Sequence, residues 1–234
     1  MTSLYREPDE RQAPTVGVLE LRDVFRIFGA GEAETVALRG LDLRVEQGEL
    51  VAVVGPSGSG KSTMLRLAAG LDVPSAGDVR AFGQSLVRLT GSALAHYRAR
   101  DVAVVFQRGN LLASLTAAEN VALSMRLAGV RPGRRGALES LAEFGLESAA
   151  GRRPQALSGG EQQRVAVAAA AARGARLVLA DEPTAELDEA SESGVLDALE
   201  RLREGGATVV VVTHAGRVAG RADRVIEIRD GRVT

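Results

Sequence analysis

The sequence has little of several features that define common protein classes. It contains no cysteine, so disulfides and thiol chemistry are excluded, and aromatic residues make up only 3% of its 234 positions. No apolar run approaches the roughly 18 to 20 residues that a membrane-spanning helix needs. The formal net charge is −1, so no overall basic field would draw the chain to nucleic acid or anionic lipid. Nucleic acid is therefore not expected as a partner.

What is present is a chain that can form one large domain. Hydrophobic residues make up 45% of the sequence, which is enough for a buried core. Residues 1–16 are charged and lack an apolar stretch, so they are predicted to be a loose N-terminal tail and not a secretion signal. Residues 17–234 are predicted to be one α/β domain. Strand-like and helix-like segments alternate along it, which is the pattern of a mostly parallel sheet covered by helices.

The predicted strands and helices can be assigned to particular segments of the sequence. Residues 18–28 and 36–45 are predicted to pair as an antiparallel β flap. Residues 50–54 form a continuous apolar run, which is typical of a parallel strand buried on both faces. Further strands are expected at residues 101–106, 177–180 and 207–213, helices at 61–69 and 161–173, and a helical lobe at about 108–156.

A phosphate-binding loop is the strongest motif. Residues 55–63, GPSGSGKST, match the P-loop pattern G-x-x-x-x-G-K-[ST] between a predicted buried strand and a predicted helix. Its glycines let backbone N–H groups turn toward phosphate oxygens, and the following helix N-terminus favours an anion. Lys61 would supply a positive charge for the β- and γ-phosphates, and Ser62 a hydroxyl for Mg²⁺. The alternative, a glycine-rich turn with a surface lysine, explains neither pattern nor context. The predicted nucleotide-binding residues are Gly55, Pro56, Ser57, Gly58, Ser59, Gly60, Lys61, Ser62 and Thr63.

Two acidic residues follow the apolar run at 177–180. Asp181 stands at the end of a predicted buried strand, where a carboxylate suits a second Mg²⁺ contact. Because side chains alternate along a strand, Glu182 is expected to face differently and to activate an attacking water as general base. The alternative is that Asp181 only caps the next helix and Glu182 is a solvated acid. The P-loop earlier in the chain favours the catalytic interpretation.

Residues 157–164, LSGGEQQR, closely resemble the signature motif of ABC ATPases. Alone, Ser-Gly-Gly before a helix is an anion-binding terminus or an ordinary N-cap. The resemblance extends over about residues 18–233. It implies an α/β fold of the P-loop NTPase type, with a mostly parallel sheet core, an antiparallel β flap and a helical subdomain. It also implies ATP hydrolysis with Mg²⁺, and a head-to-tail dimer with a second copy in which each ATP lies between one P-loop and the other signature. The signature residues implied to bind nucleotide are Ser158, Gly159, Gly160 and Glu161.

Three further site residues follow from this resemblance. Gln107 matches the family glutamine that contacts Mg²⁺ or the attacking water. His214 matches the histidine that holds the γ-phosphate and positions water. Phe28 falls where the family stacks an aromatic side chain on adenine, and a flap core residue is the alternative. Phe25 is its competitor, since in a regular strand the two side chains would face opposite sides.

The sequence also departs from the family pattern. Position 169 is alanine where the family usually has arginine, and Glu186 stands where small or neutral residues are common. Neither position is a phosphate ligand. The departures therefore bear on interface detail and turnover rate and leave the predicted activity intact.

Several segments resemble one branch of the family, the exporters typified by macrolide-efflux and lipoprotein-release ATPases. They are residues 29–38, 104–112, 115–121 and 177–184. This resemblance implies a membrane permease as partner, docked beside residues 109–112, and a location at the cytoplasmic face of the membrane. An importer ATPase is one alternative. A soluble ABC ATPase acting on DNA or ribosomes is another, but no sustained heptads separate P-loop and signature. A binding module that uses ATP only as a switch is disfavoured by the intact Glu182 and His214.

Overall fold

The computed structural model describes residues 17–29, 34–131 and 134–234, with the backbone alone at residues 134 and 135. The predicted tail, residues 1–16, and residues 30–33 of the exporter-like segment lie outside the described residues. The domain bounds stay predictions. Within the described ranges, no helix combines the length and the apolar character needed to cross a bilayer.

Strands and helices alternate along the described chain. The strands are β1 (Leu19–Phe28), β2 (Thr35–Val45), β3 (Leu50–Val54), β4 (Ala76–Ala81), β5 (Gln84–Ser85), β6 (Val102–Val105), β7 (Leu177–Asp181), β8 (Thr208–Val212), β9 (Arg224–Arg229) and β10 (Arg232–Val233). The α-helices are α1 (Lys61–Ala68), α2 (Gly91–Arg100), α3 (Ala117–Leu127), α4 (Arg134–Glu143), α5 (Gly159–Ala172), α6 (Glu189–Glu204) and α7 (Gly216–Arg221).

The central sheet has the strand order β10-β9-β3-β8-β7-β6. Neighbouring strands are parallel from β9 through β6, and only the short edge strand β10 runs antiparallel to β9. A second sheet, ordered β2-β1-β4-β5, is antiparallel throughout and forms the flap. This arrangement agrees with the predicted mostly parallel core and antiparallel flap.

Both faces of the central sheet are buried, which explains the continuous apolar runs. Val209 and Val211 of β8 pack in one hydrophobic cluster, with residues of α3, α4, α5 and α6. Val210 and Val212 pack in the other, with α1 and the flap. Because successive side chains of a strand point to opposite faces, every second residue must be apolar on each side.

The segment predicted as a helical lobe contains α3, α4 and two 3₁₀ turns, Glu147–Ala149 and Pro154–Ala156. Helix α3 begins where the sequence supplies a capping box, since Thr116 accepts the N–H of Glu119 and Glu119 bonds back to the N–H of Thr116. The lobe packs on α5 through buried side chains such as Val121 and Leu141.

Several predicted boundaries differ from the observed ones by one or two residues, and two of the differences have a clear cause. Helix α5 begins at Gly159, two residues before the predicted start, because Ser158 caps it and accepts the N–H of Glu161. Strand β6 ends at Val105, before the predicted end at Phe106. The N–H of Phe106 donates to the side chain of Asn110 at 2.8 Å and so leaves the sheet ladder.

Candidate active site

The P-loop connects β3 to α1 in a conformation that requires glycine. Gly55 has φ 150°, and a Cβ there would lie 2.1 Å from the carbonyl oxygen of Ile228. Gly60 has φ 102°, and its Cβ would lie 2.5 Å from the carbonyl oxygen of Ala37. Side chains at these two positions would clash with backbone, so the loop can adopt this path only with glycine.

Lys61 lies at the start of α1 and points its ammonium group back into the loop. Nζ donates to the carbonyl oxygens of Gly55 and Pro56, each at 2.8 Å, and lies 3.4 Å from Oγ of Ser59. The residue is only 7% exposed, and it is the only lysine among the 29 basic residues of the sequence. A compact charge held on neutral carbonyls, at a helix N-terminus, can attract phosphate.

Ser62 and Asp181 bring the P-loop helix into contact with the end of β7. Oγ of Ser62 donates to Oδ1 of Asp181 at 3.0 Å. Burial raises the pKa of Asp181 above its ordinary value, and the nearby charge of Glu182 acts in the same direction. In the described part of the chain, no group of three or more histidines, cysteines or acids could hold a metal alone. The two oxygens fit Mg²⁺, which usually takes one or two protein ligands and completes its shell with phosphate and water.

Glu182 and His214 meet because β7 and β8 are parallel neighbours, with Asp181 opposite Val212. Oε1 of Glu182 lies 2.8 Å from Nδ1 of His214. Strand alternation was predicted to turn Glu182 away from Asp181, and this explanation is wrong. Strand β7 ends at Asp181, and Glu182 has a left-handed backbone with φ 48°. Its N–H still donates to the carbonyl of Val212 at 2.9 Å. A non-glycine residue at positive φ is uncommon, and it is typical of functional sites.

Gln107 lies beyond the end of β6, and its side chain contacts the loop after β7. Nε2 of Gln107 donates to Oε1 of Glu186 at 3.3 Å, and Arg108 pairs with the other carboxylate oxygen of Glu186. Glu186 has φ 69°, which directs this exposed residue toward the β6 loop. Glu186, which departs from the family pattern, therefore links the loop after β7 to the loop after β6.

The signature segment is well ordered by its own hydrogen bonds. Ser158 and Glu161 form a capping box, with the two N–H···O bonds at 3.2 and 2.8 Å. Gly160 is buried against α6, since a Cβ there would lie 2.8 Å from Cβ of Ser191. Ser158 and Gly159 are exposed. Among the described residues, no hydrogen bond joins this segment to the P-loop, so the structure does not bring these two predicted parts of the site together in one copy.

Phe28 and Phe25 differ in exposure, although β1 is not a regular strand. The pairing of β1 with β2 shifts register at Phe25 and again after Arg26, so the alternation expected for the two phenylalanines does not apply. Phe25 is half-buried and close to Gly40. Phe28 is 37% exposed, and the guanidinium of Arg26 lies 4.3 Å from its ring centroid. Phe28 is therefore the more accessible of the two rings.

Comparison with known proteins decides the family. A family model described as ABC transporter matches residues 38–185. The chain belongs to the ABC transporter family. Over 94% of its length it is 46% identical to the macrolide export ATP-binding/permease protein MacB of Hyphomonas neptunium, covering 34% of that protein. MacB of Escherichia coli strain K12 is 44% identical over 92% of this chain and 34% of that protein. The chain thus spans about a third of the length of the curated ABC relatives it matches.

Solved ABC structures agree with this assignment. A dimeric structure of the ATP-binding cassette MJ0796, described as a post-hydrolysis state bound to ADP and Pi, superposes with a TM-score of 0.84. It is 39% identical, and the match covers 92% of this chain and 96% of that one. The cbiO1 protein of Clostridium perfringens has a TM-score of 0.81 at 23% identity, over 93% of this chain and 87% of that one, and supports the fold alone. The predicted fold class and the resemblance to macrolide exporters are confirmed.

Gln163 helps to order this site, and no sequence motif predicted that role. Gln163 of the signature helix donates to the carbonyl oxygens of Phe106 and Gln107, at 3.0 and 2.7 Å, and accepts from Nδ2 of Asn110 at 2.8 Å. It is buried. These bonds attach the loop that carries Gln107 to α5. In the sequence Gln163 stands among polar residues, so nothing marked it as buried. Its burial explains these bonds, because a buried amide needs hydrogen-bond partners.

Proposed function

We propose that this chain binds ATP with Mg²⁺, hydrolyses the ATP to ADP and phosphate, and thereby drives a membrane permease. The proposal rests on one observation: three groups of residues lie together at one edge of the central sheet. They are the P-loop with its buried lysine, the Ser62–Asp181 pair, and the Glu182–His214 pair. The carboxyl ends of parallel strands, next to a helix N-terminus, are where such α/β folds bind ligands.

The binding roles follow from the charge and donor type of each residue. Residues 55–63 would surround the phosphates with backbone N–H groups, and Lys61 would contact the β- and γ-phosphates. Ser62 and Asp181 would hold Mg²⁺, with Gln107 as a further ligand or as a contact to the attacking water. When bound, Mg²⁺ would neutralise charge that develops on the phosphate oxygens. Phe28 would stack on the adenine.

Glu182 would act as the general base. Its Oε1 is engaged by His214, which leaves Oε2 to take a proton from water. The water oxygen then bonds to the γ-phosphorus, the bond from that phosphorus to the bridging oxygen breaks, and ADP leaves. His214, held by Glu182, would contact the γ-phosphate, and Lys61 would stabilise the charge in the transition state.

A second copy of the chain would complete each site. Ser158, Gly159, Gly160 and Glu161 form a helix N-terminus suited to an anion, and the first two are exposed. In a head-to-tail dimer with two-fold symmetry, the signature of one copy would face the P-loop of the other, so that two composite ATP sites form together. The solved relative MJ0796 is described as dimeric with ADP and Pi bound, which supports this arrangement.

The permease would dock beside the loop that follows β6. A cavity of about 340 Å³ lies there, lined by residues that include Asn110, Leu111, Leu112 and Leu127. Leu112 is 54% and Leu127 66% exposed, which leaves apolar surface for a partner. The relatives named as macrolide export proteins favour the exporter or force-transmitting branch. The chain would then lie at the cytoplasmic face of the membrane, held by the permease.

Substitution of the single lysine tests the proposal. Lys61→Ala is expected to weaken ATP binding at least about tenfold, because charge-assisted hydrogen bonds to phosphate are lost. Titration of the purified chain with a fluorescent ATP analogue would measure this. Arg88→Ala, which removes one positive charge from an exposed side chain, is the control and should bind normally. Absence of Mg²⁺-dependent ATP hydrolysis by the unsubstituted chain, or normal binding by Lys61→Ala, would contradict the proposal.

A further inference from the structure

Arg26 covers one face of Phe28. The carbon at the centre of its guanidinium lies 4.3 Å from the ring centroid, within the range of a cation–π contact. The same guanidinium donates through Nη1 to the backbone carbonyl of Ile27 at 3.2 Å. Phe28 nevertheless keeps an exposed surface. The ring therefore has one covered face and accessible area that remains for a ligand.

Asp72 fixes the plane of this guanidinium. Nε and Nη2 of Arg26 donate to its two carboxylate oxygens at 2.9 and 3.0 Å. The two side chains are only 23% and 25% exposed. Oδ1 of Asp72 also accepts the N–H of Val73 at 2.8 Å, which restricts the carboxylate further. A bidentate arginine–carboxylate pair that is partly buried is geometrically specific and less screened than a surface pair.

Asp72 belongs to the turn that follows α1, the helix that begins at Lys61. The same turn bonds to β1 at two more points. The N–H of Ser75 donates to the carbonyl of Phe25 at 2.8 Å, and Oγ of Ser75 accepts the N–H of Ile27 at 3.0 Å. The strand end that carries Phe28 is thus attached to the P-loop helix. A fixed distance between a stacking ring and a phosphate loop is what a nucleotide needs, since its base and phosphates are covalently joined.

We propose that Arg26, held by Asp72, is a positioning residue for the nucleotide base. It occupies one face of Phe28 and leaves the other face to stack on a purine. This inference rests on the proposed function, because it presumes that phosphates bind at Lys61. The charge of Arg26 is neutralised by Asp72. Arg26 should therefore influence binding of the base and not binding of the phosphates. Phe28 carries no hydroxyl, so stacking selects an aromatic base without hydrogen-bond readout.

ATP carries a base and inorganic triphosphate does not, so measuring the binding of both ligands tests the inference. Arg26→Ala is expected to raise the Kd for ATP roughly three- to tenfold, as expected for loss of a cation–π contact that orders the ring. The Kd for inorganic triphosphate should stay unchanged, and kcat at saturating ATP should stay unchanged. Asp72→Asn, which keeps the shape of the side chain, should give the same pattern. In a Phe28→Ala background, Arg26→Ala should have no further effect on ATP binding.

Arg22→Ala is the matched control. Arg22 lies on the same strand and is exposed, and its Nε donates to Oε2 of Glu20 at 2.9 Å. Its loss should change neither Kd. An unchanged Kd for ATP in Arg26→Ala would overturn the inference and leave Arg26 as a cover for an exposed ring. Equal weakening of ATP and triphosphate would also overturn it, since that pattern means damage to the P-loop. Failure of the unsubstituted chain to bind either ligand would instead refute the proposed function itself.

Discussion

At the residue scale, Glu186 connects two loops of the proposed active site, the loop after β6 and the loop after β7. Its carboxylate accepts from the amide of Gln107 and pairs with Arg108. A carboxylate only accepts hydrogen bonds, so it must bind the NH₂ end of Gln107. The side-chain oxygen Oε1 of Gln107 would then remain for the proposed contact with Mg²⁺ or with a water proton.

Glu186→Ala is therefore expected to lower the ATPase kcat about two- to fivefold. The effect is small because exposed ion pairs contribute only about 0.2–1 kcal/mol. Steady-state phosphate release at saturating ATP would measure it. Glu189→Ala, which removes another exposed carboxylate a few residues away, is the control. The same fractional loss in a Gln107→Ala background would show that Glu186 does not act through Gln107.

At the residue scale, the sequence predicted which side chains lie at the site better than how they are held there. Lys61, Ser62 and Asp181 lie where the P-loop pattern and the buried strand placed them. Glu182 reaches the site through a left-handed backbone, which strand alternation could not reveal. The pair that Arg26 forms with Asp72 and the bonds of Gln163 to the loop after β6 join distant segments, so no local pattern encodes them.

The carboxylate of Glu161 caps the N-terminus of helix α5. The backbone N–H of Ser158 donates to this carboxylate and lowers its pKa below the ordinary value of 4.5, with Arg152 acting in the same direction. A carboxyl whose pKa is lowered by folding stabilises the protein above its ordinary pKa. That stabilisation is lost as the pH falls through the lowered value.

Glu161→Gln should therefore reduce the pH dependence of stability on the acid side. Compared with the unsubstituted chain, the variant is expected to have a lower free energy of unfolding at pH about 7 and a smaller further loss at pH about 4. Urea unfolding followed by circular dichroism at both values would measure this. Glu204→Gln, at an exposed position on α6, should follow the unsubstituted chain. Parallel pH curves for the Glu161 variant and the unsubstituted chain would refute the prediction.

At the element scale, continuous apolar runs predicted β3, β7 and β8, because burial on both faces demands them. The exact first and last residues of helices and strands were less predictable. The start of α5 depends on the cap at Ser158, and the end of β6 on the bond between Phe106 and Asn110. Strand β1 pairs with both β2 and β4 and shifts register against each of them, which the sequence pattern did not predict.

At the scale of the whole molecule, two helix N-termini are proposed to bind the nucleotide, that of α1 at the P-loop and that of α5 at the signature. The signature motif predicted that both belong to one nucleotide site, although no hydrogen bond joins them among the described residues. The proposed head-to-tail pairing of two copies would resolve this, since the signature of each copy would then face the P-loop of the other. A single sequence contains both halves but not their relative placement, so the composite site rests on the family resemblance.

In the proposed reaction, ATP joins two copies of the chain, and Glu182 then activates the hydrolytic water. The most direct test is Glu182→Gln, with dimerisation measured by light scattering and phosphate release measured in the same samples. The variant is expected to form a stable dimer on addition of ATP and to release phosphate at least about a hundredfold more slowly, as expected for loss of a general base. Phosphate release at the unsubstituted rate, or a chain that binds ATP and stays monomeric, would contradict the account.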